Sequence, residues 1–208
     1  MLHEEYTMPG AQFNSRNANQ NVDDTAREYP SWCISDFIAA DGTHFIVRPI
    51  RVEDEPLLVD FHRQLSEPTV YRRYFSPLPL DARTSHDRLL KRCLIDYHNE
   101  MALVAIYKDE RNQERLAAVA RLIKLPRTNH AEVAFVVADQ HQGHRLGSYL
   151  LQRIIEIAVK EGLEMLEAVM LPDNFSMKDL FRRAGFQLQS PSAGEITASL
   201  KLRSSNES

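Results

Sequence analysis

Two hydrophobic periods alternate along this chain, one of two residues and one of about 3.6. HFIVRPI (44–50) reads as a strand that stops at Pro49. VEDEPLLVDFHRQL (52–65) changes period: acids fill its first turn, and Leu57, Leu58, Phe61 and Leu65 fall at helical spacing. VYRRYF (70–75) predicts a short helix or turn ended by Pro77 and Pro79, and 81–93 predicts a helix with Leu89, Leu90 and Cys93 on one side. MALVAIY (101–107) and RLAAVARLIKL (115–125) are strands joined as a hairpin by the polar turn KDERNQE, and AEVAFVVA (131–138) is a further strand. From 145 to 160 a helix carries Leu146, Leu150, Ile154, Ile157 and Ala158 on one stripe, and Gly162 closes it. A strand over 164–171, a helix over 174–184 ended by Gly185, and a strand over 195–202 complete the order. The sequence βααα-βββ-αβ-αβ(β) predicts a mixed sheet covered by helices, of the α+β or mixed α/β class.

The two ends lack both periods. Residues 1–28 are rich in Asn, Asp, Gln and Arg with almost no β-branched residues, too little apolar surface to offset ordering, so a flexible arm is expected. Residues 203–208 predict a frayed tail. That leaves 29–202 as a single domain, consistent with 208 residues and 43% hydrophobic content, enough for one core. The net charge of −4 offers no nucleic-acid surface. Cys33 and Cys93 lack any Cys/His ligand spacing, which points to a reducing compartment and no metal site. MLHEEYTMPG has no apolar signal region, and no apolar run reaches the roughly 20 residues a membrane span needs. A cytoplasmic, soluble protein without a membrane partner is expected; nothing in the pattern fixes an oligomeric state.

The stretch 131–151, AEVAFVVADQHQGHRLGSYLL, carries the chemistry. A strand passes through the loop Gln142-Gly143-His144-Arg145-Leu146-Gly147 straight into a helix, exposing backbone N–H groups at the positive end of a helix dipole. That is an anion site suited to phosphate. It is neither a P-loop, lacking G-K-[ST], nor a G-x-G-x-x-G turn, so an ordinary strand–turn–helix accounts for the loop alone equally well. Within the strand, Ala131, Val133, Phe135 and Val137 form a bulky face suited to a core. Glu132, Ala134, Val136 and Ala138 form a small face bearing one carboxylate, as expected where a ligand lies close to the backbone. A desolvated Glu132 would have a raised pKa and serve as a base; the competing reading is a solvated carboxylate at the start of a strand.

EVAFVVADQHQGHRLGSYLL followed by VMLPDNFSMKDLFRRAGF resembles motifs A and B of the GNAT acetyltransferase superfamily, whose signature is Q/R-x-x-G-x-G/A after the fourth strand. YPSWCISDFIAADGTHFIVRPIRVEDEPLL, VYRRYF and CLIDYHNEMALVAI extend the resemblance to the acetyltransferase domain of bacterial protein lysine acetyltransferases that act on acyl-CoA synthetases, over roughly residues 29–188. The resemblance implies a GNAT fold, a mostly antiparallel mixed sheet flanked by helices, with acetyl-CoA entering a V-shaped splay between the fourth and fifth strands, 131–138 and 164–171. It implies that Val136, Val137 and Ala138 run along the pantetheine, with the backbone of Val136 and Ala138 pairing to it and the Val136 N–H polarising the thioester carbonyl. It implies further that Gln142, Gly143, His144, Arg145, Leu146, Gly147 and Ser148 hold the pyrophosphate, the Gly143–Ser148 amides above all. Asn174 would reach the pantetheine, or cap its helix, or both. Glu132 matches the general base, and the acceptor would be a protein lysine ε-amine, with no metal involved.

Two positions depart from the family pattern. Arg145 replaces its middle glycine. If φ there is positive, arginine costs about 1 kcal/mol or more; the favoured alternative is an ordinary φ with the guanidinium adding a bond to phosphate. Phe181 stands where many relatives carry a tyrosine general acid, which leaves Tyr149 and Tyr97 as candidates, each with core or rim packing as the stronger explanation. Glu100 reads as a strand-flanking charge or a second carboxylate near the amine. The histidines have no ligand spacing; His141 and His144 flank the phosphate loop. Arg182 and Arg183 end the helix opened by Asn174, either as plain helix-end charges or with one of them approaching the cofactor's phosphates. The alternative functions are acetylation of a small-molecule amine and, in another class, a non-catalytic acyl-CoA sensor or interaction module.

Overall fold

A computed structural model describes residues 28–190 and 194–202. The expected arm and tail lie almost wholly outside these residues. Eight strands form one sheet: β1 (Ser35–Ile38), β2 (His44–Pro49), β3 (Glu100–Lys108), β4 (Glu114–Lys124), β5 (His130–Val137), β6 (Met165–Met170), β7 (Gln187–Gln189) and β8 (Ile196–Lys201). Their order is β1-β2-β3-β4-β5-β6-β8-β7, and β5–β6 is the one parallel pairing in a sheet otherwise antiparallel. The mixed α/β class and the mostly antiparallel sheet agree with the sequence pattern.

The helices are α1 (Glu55–Gln64), α2 (Glu67–Tyr74), α3 (Leu80–Arg83), α4 (His86–Cys93), α5 (Leu146–Lys160) and α6 (Phe175–Arg183). Alternation along the strands splits the core into two layers. On one face Ala131, Val133 and Phe135 pack with the α5 stripe of Leu146, Leu150, Ile154, Ile157 and Ala158 and with Phe181 of α6. On the other, Ala102, Val104, Val119 and Val136 pack against Leu58 and Phe61 of α1, Val70 of α2 and Leu89 of α4. Each Val, Leu, Ile or Phe side chain among them, once removed from water, contributes about 1.5–3 kcal/mol.

Several boundaries differ from the pattern. The 52–65 segment opens with a 3₁₀ turn, Val52–Asp54, before α1 begins. The expected 81–93 helix is two helices: Thr84 Oγ1 turns back to the Leu80 carbonyl at 2.7 Å, and Ser85 is extended at φ −63°, ψ 138°. Pro49 is the last residue of β2, where the pattern stops the strand, and lies opposite Leu103 of β3. Its missing N–H costs nothing on the other side, because pairing with β1 stops at Val47. Gly162 and Gly185 do close their helices, at φ of 72° and 89°.

Candidate active site

β5 and β6 pair over only three positions, His130↔Met165, Ala131↔Leu166 and Glu132↔Glu167. β5 then continues on β4 as far as Val137↔Ala118, while β6 stays with β8 as far as Met170↔Ile196. The sheet therefore opens into a V immediately beyond Glu132. A cleft of about 380 Å³ fills the wide end, bounded by β5, α2, the loop into α5, and α6.

Of the residues read from sequence as cofactor-binding, Val136, Val137, Gln142, Gly143, Arg145, Gly147, Ser148 and Asn174 line this cleft. Ala138, His144 and Leu146 do not. Ala138 and Leu146 are buried, at 0% and 1% exposure, and His144 turns to an ion pair with Asp41 at 3.0 Å. Leu146 still contributes its backbone. The first bond of the α5 ladder is Tyr149 N–H to the Arg145 carbonyl at 3.0 Å. The N–H groups of Leu146, Gly147 and Ser148 thus precede the ladder, at the positive end of the helix. Asn174 caps α6 by accepting from the Met177 N–H at 3.3 Å, and it borders the cleft as well. Arg183 borders the cleft and Arg182 does not.

Two expectations are corrected here. Arg145 has φ 65°, so its position does require the left-handed conformation, contrary to the favoured expectation. The chain must leave a 3₁₀ turn (Asp139–His141) and enter α5 within a few residues, and Gly143 shares the left-handed burden at φ 80°. The second correction concerns β5. The Ala138 N–H donates to the Ala117 carbonyl of β4 at 2.8 Å. The register is unbroken from Ala131↔Lys124 to Val137↔Ala118, so backbone direction alternates regularly and the Val136 N–H also faces β4. The backbone groups turned to the open V are those of Phe135 and Val137, and Gln142 Nε2 already donates to the Val137 carbonyl at 3.0 Å.

The loop is tied to α2. Asp139 accepts from the Ser66 N–H (2.9 Å), Ser66 Oγ (2.7 Å) and Thr69 Oγ1 (2.7 Å). This tether holds Thr69, Arg72 and Arg73 along the cleft. The VYRRYF stretch carries these arginines, but its spacing alone predicted only a short helix or turn, with no role at the cleft.

On the opposite face of β5 lies a smaller cavity of about 90 Å³, floored by Val119, Arg121 and Ile123 of β4 and by Glu132, Ala134 and Val136 of β5. α1, α2 and α4 wall it. Arg73 and Val136 border both spaces. Burial pushes the Glu132 carboxyl above the ordinary carboxylate range; Arg73 opposes this and Glu167 reinforces it. Glu100 is no second carboxylate in this cavity: it binds Arg121, whose other nitrogen donates to the Arg92 carbonyl at 2.6 Å. Phe181 is core, edge-on to Phe186 with centroids 4.6 Å apart. Tyr149 and Tyr97 direct their hydroxyls to the Asp36 and Ile50 carbonyls, and among the described residues no tyrosine lines the cleft. Among the described residues, no group of three or more His, Cys, Asp or Glu is placed to hold a metal ion, and no helix is long and apolar enough to cross a membrane.

A mixed sheet parted at its one parallel junction, with a glycine-bearing turn and a helix N-terminus opening on the gap, defines an acetyl-CoA-dependent acyltransferase. The chain belongs to the Acetyltransferase (GNAT) family, whose profile matches residues 68–186, and it is an N-acetyltransferase that uses acetyl-CoA. It is 28% identical over 173 residues to an acetyltransferase of Pseudomonas aeruginosa, covering 83% of this chain and 89% of that protein. It is also 28% identical over 148 residues to the acetyltransferase Pat of Mycolicibacterium smegmatis, covering 69% of this chain but only 41% of Pat. Among solved structures, the GNAT domain of S. lividans PAT superposes with a TM-score of 0.74 at 30% identity, over 84% of this chain and all (100%) of that one. The paiA N-acetyltransferase of Thermoplasma acidophilum, solved in complex with coenzyme A, shares the fold at a TM-score of 0.60 and 15% identity, over 76% of this chain and 99% of that one.

Proposed function

We propose that the protein acetylates the ε-amine of a protein lysine, with Glu132 as general base. The observation that carries this reading is the position of Glu132. It lies where the V opens, on the floor of a cavity that shares Arg73 and Val136 with the cofactor cleft. The resemblance of residues 29–188 to bacterial protein lysine acetyltransferases that act on acyl-CoA synthetases supports a protein acceptor of that kind.

Acetyl-CoA supplies an acetyl group activated as a thioester. The α5 amides from Leu146 to Ser148, with Arg145 beside them, hold its pyrophosphate, and the edge of β5 at Phe135 and Val137 guides the pantetheine. Asn174 borders the same path. A lysine ammonium, with a pKa near 10.4, cannot attack until it loses a proton. Glu132 takes that proton, directly or through one water, and its raised pKa makes it a better base than an ordinary carboxylate. The free amine then adds to the thioester carbonyl, the adduct's nitrogen gives its extra proton to solvent, and the C–S bond breaks as the thiolate departs. With Phe181 in the family's tyrosine position and no tyrosine among the described residues lining the cleft, solvent protonates that thiolate.

The test is incubation with acetyl-labelled acetyl-CoA and an extract of the source cells. Enzyme-dependent label on discrete protein bands, mapped to lysines, is the expected result. Label confined to small molecules would shift the acceptor to an amine metabolite, and binding without any transfer would favour the sensor reading.

A further inference from the structure

The cavity around Glu132 has a charge opposite to what a cationic acceptor would select. Four arginines line it, Arg73, Arg88, Arg92 and Arg121, against the single carboxylate of Glu132. Arg121 is satisfied by Glu100 and the Arg92 carbonyl, and Arg73 lies beside Glu132. Arg88 and Arg92 differ. They lie four residues apart on α4, so they share a face of that helix as like charges. No carboxylate among the described residues comes within ion-pair distance of either. The Arg88 guanidinium is held 5.5 Å from the centroid of the Tyr74 ring, and Arg92 is exposed at the rim. Deeper in, His62 is 6% exposed with its Nδ1 buried and without a hydrogen-bond partner. The site is built for a guest that brings negative charge and a hydrogen-bonding group.

Resting on the reading of Glu132 as the base, we propose that the acceptor amine is carried beside an anionic group, a carboxylate or phosphate, which Arg88 and Arg92 bind at the cavity mouth. In a protein acceptor this means a lysine flanked by acidic side chains. The arrangement resolves an electrostatic conflict. A cationic wall lowers the pKa of an entering ammonium and so favours the nucleophilic free amine. The same wall repels that ammonium during approach, and an adjacent anion offsets the repulsion and gives the guanidiniums a charge-assisted partner.

Two acceptor pairs test this, each matched except for charge. One is a set of lysine peptides with flanking glutamates against the same set with glutamines. The other is 5-aminopentanoate against pentylamine. Each is assayed with the wild-type protein and with R88E/R92E, and acetyl-CoA binding is measured in parallel. The expected result is a kcat/KM about tenfold higher for the acidic peptides, lost or reversed in R88E/R92E while acetyl-CoA affinity is unchanged. Acetylation of both peptide sets at equal rates overturns the anion proposal and leaves the lysine reading standing. Acetylation of the small amines alone overturns the protein acceptor, and preference within that pair then supports or overturns the anion site. No product from any acceptor, with acetyl-CoA bound, overturns both.

Discussion

Arg145 holds a left-handed backbone at φ 65°, which a residue with a Cβ adopts at a cost of about 1–2 kcal/mol. Arg145→Gly is therefore expected to raise the stability of the free protein by about 1 kcal/mol in urea unfolding. It should also weaken acetyl-CoA binding several-fold, because the guanidinium borders the cleft. A variant equal to wild type in both would remove the phosphate role. The departure from the family glycine was legible in the sequence; the sign of φ was not, because an arginine gives no sign of its backbone conformation. His62 offers a second residue-scale test. Burial, with Arg83, Arg88 and Arg73 nearby, holds its pKa down at about 4 against the ordinary histidine value of 6.5. Below pH 6.5 the unfolded chain takes up a proton that the native histidine refuses, so stability falls as pH drops toward 4. The loss is on the order of 3 kcal/mol, and a His62→Gln variant should show a correspondingly flatter dependence across that window.

At the scale of elements, the tether between Asp139 and α2 decides whether the phosphate loop and the arginines of α2 face one another. Asp139→Ala removes the acceptor for three donors and leaves Ser66 and Thr69 to water. It should cost about 1–3 kcal/mol of stability and raise the KM for acetyl-CoA more than it lowers kcat; an unchanged KM would mean that α2 does not need this link. The long, strongly periodic elements were legible: α5 buries the stripe that its spacing predicts, and β5 alternates as read. β1 was not, because Ser35–Ile38 is a four-residue edge strand whose side chains stay partly or fully exposed, so no apolar alternation marks it. β7, three residues long, fails for the same reason. The backbone direction in β5 was equally hidden, since periodicity assigns side chains to faces but not N–H groups to neighbouring strands.

For the molecule as a whole, the proposed function depends on two spaces on opposite faces of β5 that share Arg73 and Val136, with Glu132 in the smaller one. Most residues lining the larger cleft at the loop into α5 were legible in the sequence, because glycine, glutamine and helix periodicity are local signals. The proposed acceptor cavity joins Arg73, Arg88, Arg92 and Arg121 from α2, α4 and β4, and no local pattern brings them together. The raised pKa of Glu132 sets the pH behaviour of the assembly. The base form grows as pH rises, so kcat/KM should fall on the acid side through a pKa above the ordinary carboxylate value of 4.5. The same shift means that the folded carboxyl holds its proton more tightly than the unfolded one, so ionised Glu132 lowers native stability above that pKa. Glu132→Gln should then fold at least as well as wild type, which separates lost chemistry from lost structure. The decisive measurement is single-turnover acetyl transfer by Glu132→Gln alongside its Kd for acetyl-CoA. An unchanged Kd with transfer slowed by about 10²–10⁴, and the acid limb abolished, is the predicted result. Transfer at the wild-type rate with the same pH profile would contradict the assignment of Glu132 and the mechanism built on it.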